Sequence, residues 1–132
     1  MKTARTAINV NVTPELQQGN SVFCEIDRAP GTPGHFVRGG AVKLPAGGQY
    51  EINFILQAGQ VPGLQFDAND PFCSDPNTCP APGQNDGQFT NPRVTAPTTL
   101  TVDADPTPPR NAVHYRLNFS NGTHCDPIII NG

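Results

Sequence analysis

The fold is decided by the stretch YEINFIL, residues 50–56, the longest alternating run in the first half of the chain. Tyr50, Ile52, Phe54 and Leu56 recur with a period of two, which places them on one face of a half-buried β-strand. The same period runs through four further stretches, at residues 8–12, 21–27, 98–103 and 111–119. Residues 61–67 show it more weakly, because Pro62 lacks an amide hydrogen for the ladder.

Turn residues separate these runs. The 132 residues include 13 Gly and 15 Pro, and most of them mark the ends of alternating runs. Pro14 is expected to end the first strand and to begin at most one helical turn, at residues 15–18. About seven or eight short strands divided by Pro/Gly turns predict one all-β domain over residues 1–132. We expect an antiparallel β-sandwich of the immunoglobulin-like type, with a jelly roll or a small barrel as the alternative.

The last hairpin is predicted from Asn121-Gly122, which suits a two-residue type I′ turn that pairs Ser120 with Thr123. This register would turn Asp126 towards the core, so we expect a bulge at residues 126–127. The three isoleucines that follow, residues 128–130, cannot all lie on one strand face. Either both faces of this C-terminal strand are covered or its edge joins another subunit, so a homo-oligomer is predicted.

Charge and hydropathy limit the class of partner. The net charge is −3, and the lysines and arginines do not cluster as they do in nucleic-acid-binding proteins. No apolar stretch reaches the length of a membrane span. The first residues carry Lys2 and Arg5, but an alternating run follows instead of an apolar segment, so no signal peptide is visible. The localisation is left open.

Four cysteines allow three disulfide pairings. Cys73 and Cys79 are separated by five loop residues, so a local disulfide between them is geometrically easy. Cys24 and Cys125 lie on different predicted strands, where they either pair or remain small buried hydrophobes; the reduced, buried state is favoured. A zinc site is not predicted, because no closely spaced cysteine pair is present.

Residues 67–89 form a long irregular loop, which in a small domain is usually functional or disordered. The loop contains oxygen ligands suited to calcium, namely Asp67, Asn69, Asp70, Asp75 and Asp86. Their spacing differs from that of an EF-hand. The favoured alternative is that Asp and Asn form turns before proline here.

Catalytic motifs are not evident. The Gly-x-Ser-x-Gly nucleophile elbow and phosphate-binding glycine loops are absent from the sequence. His114 and Arg116 share the outward face of one predicted strand, a stripe suited to an anionic or polar ligand or to a small enzyme site. The favoured alternative is a solvated sheet face.

Four Asp-Pro steps stand out, beginning at Asp70, Asp75, Asp105 and Asp126, and the chain ends in CDPIIING, residues 125–132. In these features the chain resembles the small bacterial DP-EP family of uncharacterised all-β proteins, mainly over the last 30 residues. The resemblance implies an all-β fold and supplies no activity and no functional residue.

These observations together predict a non-catalytic module that binds a protein or a glycan, or serves as a structural subunit. Two alternatives remain: a calcium-dependent module that uses the acidic 67–86 loop, and a small enzyme with a site around His114 and Arg116.

Overall fold

The structure is a computed structural model that describes residues 5–32, 37–38, 41–44, 48–57, 59, 61, 63–75, 89–105, 112–125 and 128–131. These residues form eleven strands: β1 Thr6–Gln18, β2 Ser21–Arg28, β3 Val37–Arg38, β4 Ala41–Lys43, β5 Tyr50–Leu56, β6 Phe72–Asp75, β7 Phe89–Ala96, β8 Thr99–Ala104, β9 Ala112–Leu117, β10 His124–Cys125 and β11 Ile128–Asn131. Within the described ranges no helix has the length and apolar character to cross a bilayer.

The strands form two curled sheets. The six-stranded sheet has the order β10-β2-β1-β5-β8-β7, and the five-stranded sheet has the order β3-β4-β11-β9-β6. The arrangement is a half-barrel, and the predicted all-β class is confirmed. The prediction of purely antiparallel pairing is wrong, because β1 pairs with β5, β10 with β2 and β11 with β4 in parallel.

The central strand pair carries the alternation seen in the sequence. On β5, Tyr50, Ile52 and Phe54 are buried, and β1 alternates in the same way. Ring contacts join the two sheets: Phe54 lies 5.3 Å from Tyr115 on β9 and 6.3 Å from Phe72 on β6, measured between ring centroids. The core is therefore shared by the inner faces of both sheets.

Pro14 does not end the first strand, and residues 15–18 form no helical turn. They continue β1, which pairs with β2 through to Gln18. A Cβ at Gly59 would clash with the carbonyl oxygen of Pro14, so this carbonyl lies on the strand edge away from β2. The missing N–H of Pro14 lies on the same edge and therefore leaves the β1–β2 ladder intact.

A β-bulge follows Pro14 and reverses the facing of the next residues. Pro14 pairs with Cys24 and Leu16 with Phe23, so Glu15 is the extra residue. The bulge turns Leu16 to the outer face, beside Phe23. These two side chains are 54% and 60% exposed.

The sequence did not predict β6 or β7, and it predicted a strand at residues 61–67 that the described residues do not form. β6 lies inside the loop predicted for residues 67–89, and β7 precedes β8 across a turn at Pro97. Residues 61–67 supply only an isolated bridge, between Phe66 and Phe119, instead of a strand. β7 is an edge strand that carries Pro92 and two register irregularities, features that hinder the addition of another strand.

The C-terminal strand is internal. β11 pairs with β9 on one side, and its last two residues pair with β4 on the other, so it is not an edge strand of its sheet. A homo-oligomer stays a prediction.

Candidate functional site

A polar cavity of about 260 Å³ opens where β9 meets the loop before β6. We call it the Arg116 pocket. Its lining residues come from two segments that are far apart in sequence: Asp67, Asp70, Arg116, Asn118, Phe119, Gly122, Thr123 and His124. The pocket therefore joins the start of the irregular loop to the last hairpin.

Main-chain hydrogen bonds hold the loop wall in place. The N–H of Asp67 donates to the carbonyl of Asn118 at 3.0 Å, and the N–H of Asn118 donates to the carbonyl of Pro71 at 2.9 Å. The Asn118 side-chain amide also donates to the Asp70 carbonyl, at 2.9 Å. Below them the rings of Phe66 and Phe119 lie 5.8 Å apart. These hydrogen bonds lie within the protein, so the wall is held in place without a ligand.

The hairpin wall differs from the predicted type I′ turn. The Phe119 N–H donates to the carbonyl of Thr123 at 2.8 Å, which closes a three-residue loop. Gly122 has a φ of 87°, whereas Asn121 does not have the positive φ that a type I′ turn requires. The Asn121 Oδ1 instead accepts hydrogen bonds from the Thr123 N–H at 3.0 Å and its hydroxyl at 2.5 Å. These side-chain bonds favour the longer loop.

The register shifts by one residue beyond this hairpin, and the bulge predicted at residues 126–127 stays a prediction. Asn118 faces His124 and Tyr115 faces Ile128, so one extra residue lies on the second segment. Asp126 and Pro127, where the bulge was expected, lie outside the described residues.

A disulfide anchors the same hairpin to the six-stranded sheet. Cys24 on β2 is bonded to Cys125 on β10, with 5.8 Å between their Cα atoms. The favoured prediction, that Cys24 and Cys125 are both reduced, is wrong. Alternation alone carries no information about pairing between strands separated by 101 residues. His124, on the pocket wall, is adjacent to this link.

The second cysteine pair is only half described. Cys73 on β6 is disulfide-bonded and fully buried. Cys79 lies outside the described residues, so the Cys73–Cys79 bridge stays a prediction.

Arg116 is the cationic residue of the pocket wall. Its Nε is buried and has no hydrogen-bond partner among the described residues. Among the described residues no ion pair joins its guanidinium to a carboxylate, although Asp67 and Asp70 line the same cavity. A half-buried arginine without a protein anion is suited to bind an anionic group of a ligand.

The predicted calcium ligands are used partly in a turn. Asp67 Oδ1 accepts the backbone N–H groups of Asn69 at 2.9 Å and Asp70 at 3.3 Å, as the turn alternative expected. The side chain of Asp75 and all of Asp86 lie outside the described part. In that part no three His, Cys, Asp or Glu side chains are grouped to hold a metal ion. The calcium site stays a prediction.

The predicted enzyme pair is only half described, so it stays a prediction. Arg116 lines the pocket, whereas only the backbone of His114 is described, paired with Asp75 and Ile129. The sequence predicts Asp67 and Asp70 in one candidate calcium loop and Arg116 in a separate candidate site, and the fold brings these three to one cavity. It assigned no role to Thr123 or His124, although the Asn-Gly turn pointed to a loop beside the Arg116 strand.

Two other surface features are weaker candidates. A cavity of about 290 Å³ has no charged residue in its lining, which consists of Leu56, Gln57, Gly59, Val61, Gly63, Leu64, Gln65 and Thr98. A polar row crosses the outer face of the six-stranded sheet, where Thr101 donates to Asn53 at 2.7 Å and Asn53 donates to Asn9 at 2.9 Å. These groups already bind one another.

The charged groups near that row are also paired. Arg5 donates two hydrogen bonds to the Asp105 carboxylate, at 2.7 and 3.2 Å, and this contact raises the pKa of Arg5. The Nη2 atom of Arg93 lies 3.3 Å from Oδ1 of Asp103 and 3.5 Å from Oε2 of Glu51. Arg116 differs from Arg5 and Arg93 in having no such ion pair among the described residues.

No family model, curated protein or solved structure matches the chain. The resemblance to the DP-EP family stays a prediction.

Proposed function

We propose that the protein is a non-catalytic binding module that holds a small polar ligand, such as one unit of a glycan, in the Arg116 pocket. The observation that carries the proposal is Arg116 itself, a charged side chain on the wall of a cavity with no ion pair among the described residues. Binding pockets characteristically combine such a convergent polar group with a preformed shape.

The rigidity of the pocket walls favours a binding function over a catalytic one. The Asp67 carboxylate accepts two backbone N–H groups, and Thr123 bonds to Asn121, so both side chains are held in one orientation. Rigid walls lower the entropy lost on association. A nucleophile activated by an adjacent base is the usual mark of covalent catalysis, and the side-chain hydrogen bonds of Asp67, Asn118 and Thr123 on the described pocket wall include no such pair.

The disulfides support a role in an oxidising compartment. Cys24, Cys73 and Cys125 are all disulfide-bonded. Such bonds persist in secreted and periplasmic proteins and are rare in reducing cytosol. A glycan-binding module of the cell surface or the extracellular space fits this setting.

We also propose that the two sheets belong to the sandwich class that the sequence suggested, in an immunoglobulin-like variant with parallel strand pairs. The contact between Phe54 and Tyr115 across the two sheets supports this assignment. Sandwich ends carry binding loops, and the Arg116 pocket is built by a loop and a hairpin.

The binding function is tested by amide NMR on the uniformly labelled, oxidised protein. A panel of neutral and acidic monosaccharides and free amino acids is added at millimolar concentration. We expect at least one compound to shift the amide signals of residues 67–70 and 118–124 in a saturable way. If no compound shifts them, or if all shifts map to other residues, the proposal is wrong.

A further inference from the structure

We infer that the ligand of the Arg116 pocket carries one carboxylate together with neighbouring hydrogen-bond donors, either hydroxyls or an ammonium group. Uronic acids and free amino acids share this chemistry. The inference rests on the binding function proposed above and adds the chemical class of the ligand.

Arg116 would bind the carboxylate. A guanidinium presents its N–H groups in a planar fork that matches the two oxygens of a carboxylate. The buried Nε has no acceptor in the described part of the chain, and leaving such a donor unpaired is unfavourable. A ligand oxygen that accepts from this edge of the guanidinium would supply the missing partner.

The two aspartates restrict the charge of the ligand. Asp67 and Asp70 line the same cavity as Arg116, so the formal charge of these three groups is negative. A dianion such as sulfate would gain one cation and face two carboxylates, and like charges repel. A ligand with a single carboxylate meets less repulsion from the same two aspartates than a dianion does, and Arg116 supplies its counter-charge.

The same aspartates call for donors on the ligand. An ionised carboxylate only accepts hydrogen bonds, and Asp67 directs one oxygen to the backbone turn, leaving its second oxygen as an acceptor. Hydroxyl or ammonium groups beside the ligand carboxylate would donate to these acceptors. A purely apolar acid would desolvate them without replacing their bonds to water.

The size of the cavity favours a small ligand. About 260 Å³ lies just below the usual range for drug-sized ligands, so one sugar unit or one amino acid is the expected occupant. Gly122 adds to the available space, because a Cβ at this position would meet nothing within 4 Å.

Calorimetric titration of the oxidised protein tests the inference with four probes at constant ionic strength: D-glucuronate, L-serine, D-glucose and sulfate. We expect glucuronate or serine, or both, to bind at least tenfold more tightly than glucose and sulfate. Binding of glucuronate alone identifies a glycan-type ligand, and binding of serine alone identifies an amino-acid ligand.

Variants assign the effect to the pocket. Arg116→Gln should weaken binding of the preferred acid at least tenfold, whereas Arg93→Gln should leave it unchanged. Arg93 is the matched control, because it is an arginine of similar exposure that is paired with carboxylates on another face. Near-UV circular dichroism checks folding. If Arg116→Gln does not fold, Arg116→Lys replaces it, and a loss of at least threefold is expected from the missing fork.

The outcomes separate the two proposals. If glucose binds as tightly as glucuronate and shifts the pocket amides, the binding function stands and the carboxylate inference is overturned. Sulfate binding as tight as that of the acids also overturns the inference. If no probe binds and the wider NMR panel shows no shifts, both proposals are wrong.

Discussion

Cys24 and Cys125 are joined by a disulfide that ties the end of the pocket hairpin to β2, across a sequence separation of 101 residues. In the same region His124 pairs with Ser21 and Cys125 with Val22 in a short parallel ladder. A two-residue strand contributes few hydrogen bonds, so the covalent link carries most of the connection. The hairpin wall of the Arg116 pocket therefore depends on this bond for its position.

Removing this disulfide should strongly destabilise the fold. We expect the double variant Cys24→Ala/Cys125→Ala to lose about 4 kcal/mol of unfolding free energy, because the bond closes a loop of about a hundred residues in the unfolded chain. Urea unfolding measures the change, and the slope against urea should rise as the unfolded chain expands. A loss below about 1 kcal/mol would contradict this account.

Tyr115→Phe should stabilise the protein. The Tyr115 hydroxyl is fully buried and has no hydrogen-bond partner among the described residues, and such a group costs about 1–3 kcal/mol. We expect a gain of about 1 kcal/mol in urea unfolding. Tyr50→Phe is the control, because Tyr50 is also buried but its hydroxyl is not a buried, unpartnered atom, so its variant should not be stabilised. Equal effects in the two variants would refute the explanation.

Alkaline pH should reveal the same tyrosine. Burial raises the pKa of Tyr115 above its ordinary value of 10.0. Above pH 10 the unfolded chain ionises this phenol while the folded chain keeps it neutral, so stability falls as the pH rises. The loss attributable to one such group is about 1.4 kcal/mol per pH unit. Between pH 9 and about pH 11, the free energy of unfolding should fall less steeply with pH in Tyr115→Phe than in wild type. Identical slopes would show that Tyr115 does not contribute.

The exposed pair Leu16 and Phe23 should contribute little to folding. Both side chains lie on the outer face after the bulge, so Leu16→Thr/Phe23→Thr should change the unfolding free energy by less than about 1 kcal/mol. Ile26→Ala is the control on the opposite face of β2 and should lose about 2–5 kcal/mol. Comparable losses in the two variants would mean that the pair is packed and not exposed.

Gly122→Ala should destabilise the hairpin by about 1–2 kcal/mol. Gly122 has a φ of 87°, where a Cβ is strained even though open space surrounds it. Ser120→Ala is the control in the same loop, since Ser120 is exposed, and its effect should stay within about 0.5 kcal/mol. A Gly122→Ala variant as stable as wild type would show that the turn relaxes to another conformation.

Alternation predicts burial correctly on β5 and at most described positions of β2, but it misses the buried Thr101 and Asn118. Tyr50, Ile52 and Phe54 are buried on β5, and on β2 Val22 and Ile26 are buried while Phe23 is exposed. The period of two is a local property, since it depends only on the alternating directions of successive side chains. The prediction of a helical turn at residues 15–18 is wrong, because the ladder to β2 outweighs the local Thr-Pro signal.

The sequence predicted functional roles for some residues of the candidate site, but it did not predict that they lie together. The sequence predicts Asp67 and Asp70 as calcium ligands and Arg116 as part of a separate stripe with His114. They meet because the chain before β6 bonds to the chain after β9, through pairs such as Asp67 with Asn118. Sequence spacing carries no record of such a contact.

The sequence by itself determined the all-β class and the facing of the long strands, because a two-residue period specifies which side chains are buried. Only the tertiary structure decided the parallel pairs, the Cys24–Cys125 bond and the Arg116 pocket. Each joins segments that are far apart in sequence, and their selection depends on packing both sheets around the shared core that contains Phe54 and Tyr115. Local patterns do not encode that choice, since many pairings satisfy the same alternation.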